Sequence, residues 1–437
     1  MKAVPQESMR KNIMAKENGK KKKRMILATV LLLIFLLTGC SQEEELVEIT
    51  FIHGFGTSEN THEAMRQIYQ DFEKEHSSIK LNMISMPSSE EVEEKVGNML
   101  MVGEVPDIVF MAGEGKDSIY EYMIAHDQLM DLMPYLKRDQ EFYQNISPVM
   151  LEHWMTKEGN LYTVSDVIFM IGCWYNQDIF EEAGISEFPK TWEDFWEVCE
   201  QLKASKEQTE PLFLDMEHMV YLTNAILHES NECEAEKLHE GVVDLNSPGF
   251  QKSIQYLKKI AQYTDATETY SFRDSLGAFN REETAIYLNG VWGTYLIDQE
   301  LNAVYAPFPS QDGNGTAMIS SCVGYLLGNT GDQKKMEASL EFLKYMLSEP
   351  VAQRILKETG QMPSNPNITV DENIADGRLY SAVEHLKEAG HIIEVPANLW
   401  SRQLQSAFWE NMILYVNNEI TTEKMQKNID EIFLNFR

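Results

Sequence analysis

Few side chains in this sequence are arranged to break bonds. The five cysteines, Cys40, Cys173, Cys199, Cys233 and Cys322, form no Cys-x-x-Cys pair, and no histidine stands at ligand spacing from them, so no metal site is expected. No His-Glu-x-x-His, Gly-x-Ser-x-Gly or P-loop pattern occurs, and no catalytic residue and no cofactor is expected. The chemistry on offer is recognition. The loop His53-Gly-Phe-Gly-Thr-Ser-Glu59 presents hydroxyls and a carboxylate at Thr57, Ser58 and Glu59, although Ser58 or Asn60 could equally serve as a helix cap. Asp166 interrupts an otherwise apolar run. Cys199, with Phe195, Val198 and Leu202 at helical spacing, reads as a small core residue.

The elements that must position these groups alternate. Val47, Ile49 and Phe51 share one face of a strand, and Met65, Ile68, Tyr69 and Phe72 one face of a helix, with Asn60 and Glu63 forming a capping-box pattern. Ile79, Leu81 and Met83 give a second strand, Val92, Val96, Met99 and Leu100 a second helix, and Ile108-Val-Phe-Met111 a third strand behind Pro106-Asp107. A β-α-β-α-β order predicts an α/β fold with an open, mostly parallel sheet covered by helices. Ligands of such sheets gather at loops beyond the strands' carboxyl ends, here 53–59 and 112–115. Further on, Thr191 and Asp194 cap a helix, Thr284–Leu288 and Val304–Phe308 read as strands, and Asn289-Gly290 as a turn. Residues 203–240 are polar, helix-leaning and uninformative.

Charge narrows the partners. The chain of 437 residues carries a formal net charge of -32, but residues 1–39 hold nine Lys/Arg and two Asp/Glu, which leaves 28 basic and 67 acidic residues and a net charge of -39 for the remainder. So acidic a body repels polynucleotides, and no nucleic-acid partner is expected. The N-terminus has the layout of a secretory signal: the cluster Lys20–Arg24, then an uncharged apolar stretch, Met25–Thr38, shorter than a membrane-spanning helix needs. It ends in Leu37-Thr38-Gly39-Cys40, which resembles the bacterial lipobox, in which the cysteine is acylated and becomes the mature N-terminus. Residues 1–39 are therefore expected to be a lipoprotein signal peptide and 40–45 a tether. The remainder is expected on the extracytoplasmic face of a bacterial cell membrane, held there by lipid on Cys40.

Several segments of the body, in order, resemble the solute-binding proteins of sugar ABC importers, the maltose-binding-protein-like group. They are Pro106-Asp-Ile-Val-Phe110; Trp174-Tyr-Asn-Gln-Asp-Ile-Phe-Glu-Glu-Ala-Gly-Ile185 with Phe188-Pro-Lys-Thr-Trp-Glu-Asp-Phe195; Phe279–Trp292; Tyr305-Ala-Pro-Phe-Pro309; and Leu343–Pro350. The resemblance implies two α/β lobes, each a mixed, mostly parallel sheet flanked by helices, joined by hinge crossings near Thr163–Asp166, Tyr305–Pro309 and Gln361–Pro363. That places residues 46–164 plus 306–362 in the first lobe and 165–305 plus 363–437 in the second. It implies a monomer that catalyses nothing: it captures a carbohydrate, an oligosaccharide, in the interlobe cleft and delivers it to the transmembrane subunits of an ABC permease.

The same resemblance marks Trp292 as a stacking platform, Glu114 as a hydroxyl-binding acid, Trp400 as a cleft aromatic and Met362 as a cleft border. Met111 departs from relatives that carry an aromatic there. Asp166, at a crossing, is either a ligand contact or a hinge hydrogen bond, and Trp174 is expected in the core. Three alternatives stand beside this reading. The first is the same fold holding a non-sugar, such as a cation drawn by the surplus of acids. The second is a protein presenting its ligand to a sensor. The third is a secreted glycosidase, whose paired carboxylates sequence cannot assign.

Overall fold

Two sheets organise the chain. The computed structural model describes residues 45–112, 118–205, 209–230, 244–264, 271–320, 323–396, 400 and 402–435. Residues Val47–Arg437 form one compact unit. The first sheet holds β1 (Val47–His53), β2 (Ile79–Ser85) and β3 (Ile108–Phe110), with β1 parallel to both neighbours. Alternation sorts its side chains. Ile49, Phe51, Ile108 and Phe110 meet the helices Asn60–Glu75 and Gln333–Met346, while Ile52 and Val109 meet Val92, Val96 and Leu100 of the helix Ser89–Met101. Asp107 is structural: its Oδ2 accepts the Thr50 backbone N–H at 2.8 Å and lies 3.2 Å from Lys335 Nζ. It thereby ties β3 to β1 and to the later helix, at a point where the β1 ladder to β3 has not begun.

The second sheet is built on the ten-residue β4 (Val167–Asn176). Its other strands are β5 (Glu210–Leu212), β6 (Thr284–Gly290), β7 (Ala303–Ala306) and β8 (Thr316–Ser320). β6 lies antiparallel to β4 on one side, β8 and then β7 on the other, and β5 runs parallel to β6. The sheet is mixed, with its parallel pairs at the flanks. One face packs Ile171, Cys173 and Tyr175 against the helices Trp192–Ser205, Met216–Ser230, Pro248–Ile260 and Arg402–Val416. The other packs Met170, Trp174 and Tyr305 against the helix Gly377–Leu386. Both lobes are thus three-layered, a sheet between helices. Cys173 and Cys199 are free and buried in this second core, while Cys40, Cys233 and Cys322 lie outside the described residues.

The chain returns to the first sheet as β9 (Tyr325–Leu327), antiparallel to β3. The helices 333–346 and Glu349–Thr359 follow there, and then β10 (Met362–Pro363) pairs with Val167–Ile168 of β4. The last strand, β11 (His391–Ile393), lies beside β8. The segment Tyr305–Pro309, expected as a crossing, instead belongs to the second sheet: β7 pairs with β4, and Phe308 bridges Thr316. The return comes between the end of β8 at Ser320 and the start of β9 at Tyr325.

At that return Gly324 lies against the outgoing segment. Its N–H donates to Thr163 Oγ1 at 2.9 Å, and Val164 and Tyr325 form a bridge. A Cβ on Gly324 would sit 2.2 Å from the Val164 carbonyl oxygen and 2.3 Å from the Ser165 Cα, backbone atoms that cannot rotate away. Gly324→Ala is therefore expected to cost at least about 2 kcal/mol of stability. Urea unfolding of purified protein measures this, and a wild-type midpoint would contradict so close an approach.

Candidate functional site

β6 ends in a fixed corner. Asn289 and Gly290 are strand residues rather than the expected turn, and a 3-10 helix, Val291–Tyr295, follows directly. Three buried donors hold this end. Trp174 Nε1–H donates to the Gly290 carbonyl at 3.1 Å, Tyr305 O–H to the Asn289 carbonyl at 2.6 Å, and the Asn289 side-chain amide to the Tyr287 hydroxyl. Trp292 projects from this anchored corner, half-buried, with its ring 5.1 Å from that of Phe169. The indole lies so close over Gly290 that a Cβ there would stand 1.9 Å from a ring carbon. Trp292 is thus a rigid aromatic surface, and Trp174 is core, fully buried beneath it.

The neighbouring wall comes from the segment that sequence left unread. Helix Met216–Ser230 is fastened at its start by buried groups. Asp215 Oδ1 accepts the His218 N–H at 2.8 Å, and Asp215 Oδ2 accepts the Ser275 hydroxyl at 2.5 Å. His218 Nε2 accepts the Leu288 N–H, so its Nδ1 carries the proton and donates to the Phe213 carbonyl at 2.7 Å. Ser275 donates to Asp215 and not to the imidazole, so these three residues are not a nucleophilic triad. Glu217, on the first turn, and Tyr221, one turn on, lie half-buried at i, i+4. Burial first, and then the charges of Asp215 and of Glu90 on the first lobe, push the Glu217 carboxyl up to about 8.

On the first lobe the loop after β1 is clamped. Arg66 donates to the Phe55 and Thr57 carbonyls, and Thr57 Oγ1 lies 2.7 Å from His62 Nδ1. The Thr57 hydroxyl is therefore engaged within its own loop, while Ser58 is exposed. Neither Ser58 nor Asn60 caps the following helix; Glu59 occupies the cap position without a side-chain cap bond. Instead its carboxylate reaches across to Arg273 of the second lobe at 3.4 Å. A second pair, His153 with Glu394 at 3.0 Å, also joins the lobes. Met111, in the left-handed region at φ 67°, leads into the loop that carries Glu114, which lies outside the described residues.

Two other expected residues sit elsewhere. Trp400 is fully buried in the second core, its ring 5.3 Å from Phe408 and 6.1 Å from Phe250. Complete burial leaves no face of the indole for a ligand. Met362 is half-buried on β10, beside Ile168, in the crossing itself.

Asp166 lies between the lobes' crossing strands and is almost wholly buried. Tyr325 O–H donates to its Oδ2 at 2.7 Å, Tyr69 O–H donates in turn to Tyr325 at 3.3 Å, and the Ser364 N–H donates to the Asp166 carbonyl at 2.8 Å. Among the described residues its Oδ1 has no hydrogen-bond partner. In this arrangement Asp166 makes the hinge hydrogen bond. Burial raises its carboxyl to about 7, against the lowering effect of Tyr325.

Residues 67–380 match the family described as bacterial extracellular solute-binding protein, and the chain belongs to that family, whose members bind solutes and are not enzymes. It is similar to the multiple sugar-binding protein of Streptococcus mutans, at 25% identity over 77% of this chain and 81% of that one. It is also similar to the diacetylchitobiose binding protein DasA of Streptomyces coelicolor, at 22% identity over 62% of this chain and 64% of that one. Among solved structures, a Streptococcus pneumoniae solute-binding protein in complex with the blood group A-trisaccharide superposes with a TM-score of 0.75 at 23% identity, covering 88% of this chain and 99% of that one. The raffinose complex of RafE gives 0.69 at 18%, over 89% and 98%. The fold is accordingly the two-lobed one of sugar-binding proteins.

The hinge acid makes a pH prediction. A carboxyl held near 7 in the fold and near 4 unfolded binds its proton more tightly when folded, so its stabilising effect is complete below about pH 4 and lost as pH rises through 7. Asp166→Asn is expected to remove that part of the slope, on the order of 4 kcal/mol at full ionisation. Urea midpoints at pH 5 and pH 8 for both proteins test it; equal slopes would contradict the assignment.

Proposed function

We propose that this solute-binding protein captures an oligosaccharide between its lobes and hands it to the transmembrane subunits of an ABC importer. The observation that carries the reading is Trp292: a half-exposed indole on a hydrogen-bonded corner, with the ring of Phe169 beside it. A sugar ring has an apolar face that an aromatic plane covers and hydroxyls that need acceptors. A pre-set ring gives up little conformational freedom on binding. The sugar ligands in the names of the relatives support the same class of solute. Glu59, Ser58 and, from the loop outside the described residues, Glu114 would supply polar contacts from the first lobe. Met362 and Asp166 would act through the crossing.

Closure couples capture to delivery. The pairs Glu59–Arg273 and His153–Glu394 bridge lips that must part for a ligand to enter, so they favour the closed population. Acylation of Cys40 would hold the protein, as a monomer, at the outer face of the cell membrane, within reach of its permease.

Titration calorimetry with mono- and oligosaccharides, on wild type and Trp292→Ala, tests the platform. We expect saturable binding by wild type and at least a tenfold loss in the variant, roughly 1.4 kcal/mol. No heat with any sugar, beside clear binding of amino acids or polyamines, would overturn the carbohydrate reading.

A further inference from the structure

A cavity of about 340 Å³ lies at the end of the second sheet remote from the crossing. Tyr175, which lines it, stands six residues along β4 from Phe169, the neighbour of Trp292, a separation of roughly 20 Å at the rise of a strand. The cavity is therefore no part of the interlobe space. Four segments converge on it: the loop 187–190 before the helix Trp192–Ser205, β7 with its exit, the turn 313–315, and the last turn of the helix Gly377–Leu386. Among the described residues β7 pairs only with β4, so no further strand fills the space beside it.

The lining is unevenly satisfied. Phe188, Pro189, Val304, Pro307 and Phe308 give it apolar walls. Tyr175 is nine-tenths buried, its ring 4.8 Å from Phe180 and 5.3 Å from Phe188, yet its hydroxyl has no hydrogen-bond partner among the described residues. That hydroxyl is not sealed off within the core, so it opens on the cavity. Burial, and then the charge of Glu187, raise it above the ordinary phenol value, and it stays neutral. A polar group so placed costs free energy until something pairs with it. Two carboxylates edge the opening. Glu187 lies 3.9 Å from Lys190, an exposed pair, whereas Glu388 has no ion pair among the described residues. Helix 377–386 also ends here, and the carboxyl end of a helix favours cations.

The chemistry that matches is narrow. An anion would meet Glu187, Glu388 and the helix end together. A purely apolar molecule would leave the phenol unpaired, and a neutral alcohol would leave the charge of Glu388 unmatched. An ammonium group donates to the phenol oxygen and to a carboxylate at once, and the aromatic faces attract it as well. The volume is at the small end for ligand pockets. We propose that this cavity is a second binding site, separate from the interlobe cleft, for a small primary amine whose apolar body is about one ring in size. The two places are far enough apart to be tested independently.

The test is calorimetry of the purified protein at pH 7 with benzylamine, benzyl alcohol and benzoate. Benzylamine is expected to saturate a single site and to bind at least about tenfold more tightly than the alcohol, with no binding of benzoate. Tyr175→Phe keeps the ring and its packing, and Glu388→Gln keeps the side chain's size. Each is expected to weaken benzylamine at least about fivefold, with a thermal midpoint within a few degrees of wild type. Equal affinity for the amine and the alcohol overturns the ligand class. Benzylamine weakened by Trp292→Ala and not by Tyr175→Phe places the amine in the cleft and overturns the second site. Absence of saturable benzylamine binding at millimolar concentration overturns it too, and leaves carbohydrate capture standing.

Discussion

The two sheets are joined through one close crossing of the chain. Gly324 rests on the backbone of Val164 and Ser165, β10 pairs with the first residues of β4, and Asp166 sits between them on the Tyr325 hydroxyl. The chain passes between the sheets three times within this small volume. Backbone packed that tightly leaves little room for one sheet to slide past the other. The buried carboxyl of Asp166 adds a polar bond that is costly to break in place, because its acceptor would then be left without water. The crossing therefore gives the two lobes one path toward each other and fixes which residues meet along it.

What meets there is electrostatic at the lips and aromatic within. The two interlobe ion pairs are partly exposed, and such pairs contribute modestly, within about 1 kcal/mol each. They bias the closed form without locking it, as suits a protein that must release its cargo. The wall behind is rigid by contrast. Trp292 is carried by a corner that Trp174 and Tyr305 pin from below, and helix 216–230 is pinned through Asp215 and His218.

The sequence was most legible where local pattern and tertiary role coincide. The alternation of Val47, Ile49 and Phe51 announced the first strand, and helices cover both faces of its sheet. Thr191 and Asp194 cap their helix as read, with the Asp194 N–H donating to the Thr191 hydroxyl at 3.0 Å. Trp292 was singled out from its motif, and it lies half-buried on the short helix that follows β6. Tyr305–Pro309 misled because a strand's partner is a long-range property; nothing local distinguishes a crossing strand from one paired to β4. Trp400 misled for the same reason, since its burial depends on Phe250, 150 residues earlier. Helix 216–230 escaped because Glu217 makes its start look solvated, whereas that face turns toward the other lobe. Its polar residues His218, Thr223 and Asn224 read as solvent-facing in the sequence but are buried in the fold.

The central claim is that this chain closes about its crossing around a sugar. Small-angle X-ray scattering of the purified protein, with and without a saturating oligosaccharide found by calorimetry, tests it most directly. The account predicts a smaller radius of gyration in the bound state, and a bound-state curve that fits the lobes drawn together as the Glu59–Arg273 and His153–Glu394 pairs require. Saturated protein that scatters identically to the empty form, with open lobes in both, would contradict it.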